Sequence, residues 1–380
     1  MAPNPIRVAV IGVGAFGRNH VRVYRELEAA YPELVKLVAF VEKDAITRDA
    51  AAARLNLPAY SSVEELLASP HRPQAASICV PTIHHASVAE ILLQNGVDVL
   101  IEKPFANNLA DADRVLALAR ANKRILQIGH LERFNPAVGA TIERLNKPMF
   151  FEAHRLSIFT PRSLDVDVVL DLMIHDLDIV LALTNSPVRD VRAVGLPILS
   201  RKVDIANVRI EFNSGCVANF TASRVSTEQV RKIRLFQPRQ YISLDFARQE
   251  VISINVDPTV ANSADLAALA AQAANDPAAR AKLAAAAAAM GHSATEPPAS
   301  WSGIRNAPST TLPHPSAGLI IDKPDLQKAE PLRLELEDFL TCVRDRTSPR
   351  VTGEAGVAAL ALALEINQQI ASHSRRAGIS

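Results

Sequence analysis

Cysteine is scarce in this chain of 380 residues: Cys79, Cys216 and Cys342 are widely spaced and show no metal-ligand spacing. That excludes a disulfide scaffold and a cysteine-based zinc site. Cys79 and Cys216 lie in apolar strand patterns, and all three read as packing residues rather than nucleophiles. Tryptophan occurs once, at Trp301. An excess of either charge is missing too. The net charge is +1, so no general attraction to nucleic acid or an anionic membrane is expected, and any anion site must be local. No apolar run is long enough to span a bilayer, and no signal-peptide pattern precedes Ile6. A cytoplasmic protein without a metal is the expectation.

What is present describes an ordinary globular chain, 48% hydrophobic and 21% charged, long enough for two domains with a core each. It is organised around Gly12-Val-Gly14-Ala15-Phe16-Gly17. Ile6, Val8, Val10 and Ile11 ahead of it read as a buried parallel strand, and Asn19 to Ala30 after it as a helix. Strand, glycine turn and helix make the Gly-x-Gly-x-x-Gly dinucleotide fingerprint. Gly12 permits the tight turn, Gly14 the approach of a pyrophosphate, and Gly17 close packing of helix on strand. A second strand, 36–41, runs into Glu42, whose carboxylate suits a ribose 2′-hydroxyl. NAD is therefore expected ahead of NADP, with Lys43 and Arg48 able to soften the preference.

Helices follow at 45–55, 62–68, 88–94 and 110–122, alternating with strands at 75–80, 97–101 and 125–128. That alternation argues for a doubly wound parallel sheet over 1–130. Gly12, Glu42, Pro81-Thr82 and Glu102-Lys103-Pro104 all stand at carboxyl ends of strands, around one crevice. From Met149 the pattern changes. A strand (149–158) and a helix (168–184) precede strands at 188–199, 205–212, 216–223, 232–236 and 241–246. No helix intervenes among these, so 131–380 reads as an α+β domain with a mostly antiparallel sheet. Residues 258–325 carry an alanine run and several prolines, and read as a low-complexity insertion with one marginal helix. Two closing helices are expected at 332–344 and 353–370.

Lys103 at the crevice can contact a nicotinamide ribose and favour a developing alkoxide; a solvated lysine at a strand end is the bland alternative. In Asp171-Leu-Met-Ile-His175-Asp176-Leu-Asp178, helical spacing puts Asp171, His175 and Asp178 on one stripe beside an apolar stripe. Histidine can take a proton near neutral pH, and an adjacent carboxylate can orient it. A helix that merely exposes Asp and His to water is the alternative. Of His84 and His85, one is expected to face the crevice. Arg133 and Asn135 stand where the first domain hands over to the second. Arg155, Arg162, Arg224, Arg231, Lys232 and Arg234 supply cations, of which a subset can bind a diphosphate bidentately.

The Gly12-x-Gly14-x-x-Gly17, Glu102-Lys103-Pro104, Arg133-Phe134-x-Pro136 and Asp171-x-x-x-His175-x-x-Asp178 motifs together resemble the glucose–fructose oxidoreductase / inositol dehydrogenase (Gfo/Idh/MocA) family. The resemblance implies an NAD(P)-binding first domain and an open-sheet second domain that carries the substrate and forms a homodimer or homotetramer. It also implies that Lys103 and His175 lie by the reacting carbon with Asp171 in the site. The stretches 129–138, 167–176 and 231–237 are similar to a narrower group, the UDP-N-acetylglucosamine 3-dehydrogenases, which implies a nucleotide-sugar substrate. Val168, Val169 and Met173 depart from glycines common in that region. A dehydrogenase of free sugars or polyols, and a non-catalytic NAD- and sugar-binding regulator, are the rival readings.

Overall fold

The computed structural model describes residues 4–159, 166–256, 277, 312–314 and 319–378. Six short strands form the first sheet: β1 (Ile6–Ile11), β2 (Val35–Val41), β3 (Ala59–Tyr60), β4 (Ala75–Ile78), β5 (Asp98–Glu102) and β6 (Leu126–Gly129). They are all parallel, in the order β3-β2-β1-β4-β5-β6. The crossovers are α1 (Gly17–Ala30), α2 (Ala45–Leu55), α3 (Val63–Ala68), α4 (His85–Gln94) and α5 (Leu109–Ala121). This is a Rossmann sheet. β1 and β5 are buried nearly throughout, which is why they read as continuous apolar runs rather than alternations. Ser62 and Asn108 cap α3 and α5 by accepting from the backbone N–H groups of Glu65 and Asp111.

A 3₁₀ turn at Leu131–Phe134 and α6 (Pro136–Ile142) carry the chain to a second, nine-stranded sheet. Its strands are β7 (Phe150–Ile158), β8 (Val188–Leu196), β9 (Ile205–Phe212), β10 (Val217–Ser226), β11 (Val230–Gln237), β12 (Gln240–Asp245), β13 (Glu250–Val256), β14 (Leu312–His314) and β15 (Leu319–Asp322). They lie in the order β14-β15-β13-β12-β11-β7-β10-β9-β8, antiparallel except for β7 beside β10. One face packs on α7 (Ile174–Thr184), and the strands alternate buried with half-exposed residues as a one-sided sheet requires.

Two expectations about this half are corrected. β13 was not anticipated, and β15 falls inside the stretch assigned to an insertion. Leu319-Ile320-Ile321 pairs with Ile254, Asn255 and Val256, so the low-complexity segment stops short of 319. Its alanine run and Trp301 lie outside the described residues.

The closing helices are α8 (Pro331–Asp345) and α9 (Gly353–Ala377). Leu332, Leu336, Phe339 and Leu340 of α8 pack with β1 and α1 in the first core. α9 lies against both halves. A Cβ on Gly356 would come within 2.6 Å of Ile128 in β6, while Ile370 near its other end faces Gly195 of β8. Among the described residues, no helix is long and apolar enough to cross a membrane.

Candidate active site

The glycine turn is built for close approach. Gly12 has φ +87°, which favours glycine, and a Cβ on Gly17 would sit 1.9 Å from the Gly12 carbonyl oxygen. Gly14 faces open space. The start of α1 has no side-chain cap and no acid in its first turn, so an anion there meets the positive end of the helix with no carboxylate competing, although the Arg18, Asn19 and His20 N–H groups donate to the Gly14 and Phe16 carbonyls. Ala15 and Phe16 complete the turn, with Phe16 partly exposed and its ring against His20. Glu42 follows β2; its carboxylate accepts from Val13 N at 3.1 Å and Asp44 N at 3.2 Å. Each oxygen keeps a further lone pair for a hydroxyl. Arg48 donates to the Glu42 carbonyl and lies near Asp49. These residues fit a nicotinamide dinucleotide.

Pro81 and Thr82 open a 3₁₀ turn after β4. His85 is buried and lies within hydrogen-bonding range of the Val80 and Pro104 carbonyls, at 2.9 and 3.0 Å. Burial pushes its pKa down, and a neutral ring donates to one carbonyl at a time. It braces the loop that bears Lys103.

Glu102 turns inward and pairs with the buried His20 at 2.9 Å. Gly129 makes room for it, since a Cβ there would lie 3.0 Å from the Glu102 carboxylate. Lys103, joined to Pro104 by a cis peptide, points the other way, across to the second sheet's helix. Its Nζ donates to the Asp171 carbonyl at 2.7 Å and lies 3.4 Å from Asp171 Oδ1.

Asp171 does not sit on a plain α-helix. Residues 169–173 form a π-helical turn leading into α7, so the expected i, i+4, i+7 stripe is broken at its first member. Asp167 caps this turn, accepting from Val169 N and Leu170 N, and is held by Asn367 of α9. Val168, Val169 and Met173 are fully buried in the second core, where glycine would leave space.

The carboxylates around His175 all have cationic partners. Asp178 takes a bidentate pair from Arg133 at 2.6 and 2.9 Å. Asp176 takes one from Arg155 at 3.0 and 2.8 Å, and Arg155 also reaches Glu132 at 3.1 Å. The expectation that a carboxylate orients His175 therefore fails among the described residues. His175 Nδ1 is buried without a partner. Burial, then Lys103, Arg155, His130 and Arg231, hold the ring's pKa well below 6.5, so it is neutral at physiological pH.

Other expected residues serve the frame. Asn135 caps α6 through Ala137 N and donates to the Phe246 carbonyl. Arg224 donates to the Val166 carbonyl and lies 3.7 Å from Asp204. Lys232 faces Asp245 and Arg234 faces Glu152. Arg231 has no carboxylate partner among the described residues, and its Nε is buried and unpartnered. It stands opposite Arg155 in the β7–β11 register and acts on both His175 and Asp176. Arg162 lies outside the described residues. His130, Glu132 and Asp176 join the site from the 129–138 and 167–176 stretches, where the sequence attached no role to them.

Two family models match the chain: an oxidoreductase family with an NAD-binding Rossmann fold over residues 6–130, and a GFO/IDH/MocA C-terminal domain over 144–240. The chain belongs to the Gfo/Idh/MocA oxidoreductases. It is an enzyme of the nicotinamide-dependent sugar dehydrogenase type. A UDP-N-acetylglucosamine 3-dehydrogenase of Acidithiobacillus ferrooxidans is 41% identical over 242 residues, covering 63% of this chain and 74% of the relative. A solved structure of that dehydrogenase superposes with a TM-score of 0.74 at 32% identity, over 96% of this chain and 98% of the other. A scyllo-inositol 2-dehydrogenase (NAD(+)) of Bacillus subtilis is 26% identical over 58% of this chain and 68% of its own length.

Proposed function

We propose that the protein oxidises a secondary hydroxyl of a nucleotide sugar, C3 of UDP-N-acetylglucosamine, with NAD as acceptor. The observation that carries this reading is the meeting of Lys103 from the first sheet with the Asp171 turn of the second, beside a neutral His175. NAD, once bound, supplies the hydride-accepting chemistry. Gly12, Gly14, Gly17 and the start of α1 hold its pyrophosphate, and Glu42 a ribose hydroxyl. Lys103 has three donors; two face Asp171, and the third is directed at the substrate oxygen. His175 takes the hydroxyl proton, and the Lys103 ammonium stabilises the developing alkoxide. A weakly basic imidazole suffices because the adjacent cation makes the hydroxyl easier to deprotonate. Among the described residues Arg231 is an expected cation without a carboxylate partner, and its assignment to a substrate phosphate favours a nucleotide sugar over a free polyol. A homodimer or homotetramer through the second sheet belongs to the same reading.

The test is NADH absorbance with purified protein and a panel of nucleotide sugars, inositol and free sugars. UDP-N-acetylglucosamine should turn over. His175→Ala should lower kcat by about 10²–10⁴-fold with NAD affinity intact, and Lys103→Ala should impair kcat as well. Because His175 is held well below 6.5, the acid limb of kcat/KM should lie below that pH. Turnover of inositol alone would sink the nucleotide-sugar reading. Near-normal kcat in His175→Ala would transfer the base role to Lys103.

A further inference from the structure

His130 ends the strand-to-turn passage after β6 and is 1% exposed. Neither of its ring nitrogens has a partner among the described residues. Its ring stands edge-on to His175, with centroids 6.5 Å apart and planes at 90°. His175 likewise has a buried Nδ1 without a partner. The two adjoining rings thus carry three buried, unpartnered nitrogens, while Asp178, Asp176 and Asp171 are tied to Arg133, Arg155 and Lys103 and Glu102 to His20. Buried nitrogens without partners cost stability, and they persist where function requires them.

We propose that His130 is a positioning residue for His175. It occupies the place that a carboxylate takes beside other catalytic histidines, and fixes the rotamer and tautomer that leave Nε2 for the substrate hydroxyl. The ring separation exceeds a direct hydrogen bond and suits a single bridging water. A neutral partner serves this site better than a carboxylate would. It orients the ring without raising its basicity, and it adds no charge that would compete with substrate for Lys103. The charged groups around His130 are Asp178, Arg133, Lys103 and Glu102. Around His175 they are Lys103, Arg155 and Arg231. Burial first, and then the nearby cations, hold both rings below the usual histidine value, against Asp178 and Glu102 at His130. The inference rests on the assignment of His175 as the base.

The test uses His130→Phe, which keeps an aromatic ring and removes both nitrogens, and His130→Gln, which restores a polar group with a donor and an acceptor. His130→Phe should lower kcat by about ten- to a hundredfold. KM for the sugar nucleotide and affinity for NAD should stay within about twofold, and the melting temperature should hold or rise. His130→Gln should recover part of kcat. In His175→Ala the added His130→Phe change should cost nothing further, because it acts through His175. Full kcat in His130→Phe overturns the proposal. So does an undiminished extra loss in the double variant, or a failure to fold shared by both single variants. Near-normal turnover in His175→Ala alone overturns the base assignment instead, and is read separately.

Discussion

Glu42 accepts one backbone N–H from the glycine turn, at Val13, and one from its own loop, at Asp44, which fixes its carboxylate where a 2′-phosphate would meet negative charge. NAD should therefore bind more tightly than NADP, and Glu42→Ala should narrow that gap, read by titrating cofactor fluorescence. Equal affinity for both cofactors in the unmodified protein would refute this role. At this scale much was legible. Gly12, Gly17, Glu42 and Lys103 announce themselves because each answers to its own strand end. The partners of Asp171, Asp176 and Asp178 do not, because Arg133, Arg155 and Lys103 come from other elements and no spacing in one helix encodes them. His130 lies inside the 129–138 stretch that carries part of the resemblance, but nothing in that stretch attaches a role to it.

Among elements, the alternation of strands and helices in the first half was enough to read a doubly wound parallel sheet, though not the order of its strands. The turn at 169–173 was not readable: Val-Leu-Asp-Leu-Met has the periodicity of an α-helix, and Val169 and Met173, four apart and both buried, fit either winding. β15 was hidden for another reason. Three apolar residues are a short signal beside a long alanine- and proline-rich stretch. The pairing of β15 with β13 and β14 now divides the insertion into two parts with different expected outcomes. A variant lacking 262–308, closed by a short linker, should fold and bind NAD. A variant lacking 262–320 loses β14 and half of β15, exposes the edge of β13, and should melt lower or aggregate. Differential scanning fluorimetry and size-exclusion chromatography check both. Insoluble protein from the shorter deletion would show that the segment is required by the core.

For the molecule as a whole, burial holds His85, His130, His154 and His175 below 6.5. The unfolded chain takes up protons near that value and the fold refuses them, so stability falls as pH drops below it. Glu335 works with the opposite sign. Burial, then Glu102, raises its pKa well above 4.5; its contribution is complete below that value and is lost as pH rises. Asp176 is raised likewise, from 3.8. Four histidines outweigh two acids, so the melting temperature should drop between pH 7.5 and 5.5. Glu335→Gln should widen that drop. A flat profile across this range would contradict the neutral histidines.

The chain leaves the first sheet after Gly129, returns to it at Pro331, and then lays α9 along both halves. At 25 residues that helix is about 37 Å long. Its start is pressed on Ile128, its Asn367 grips the cap of the Asp171 turn, and Ile370 seats against Gly195. One rod thus bears on both halves, on the first at its start and on the second over the turn from Asn367 to Ile370. A change that loosens either end should be felt at the Lys103–Asp171 contact, to which each half contributes one member.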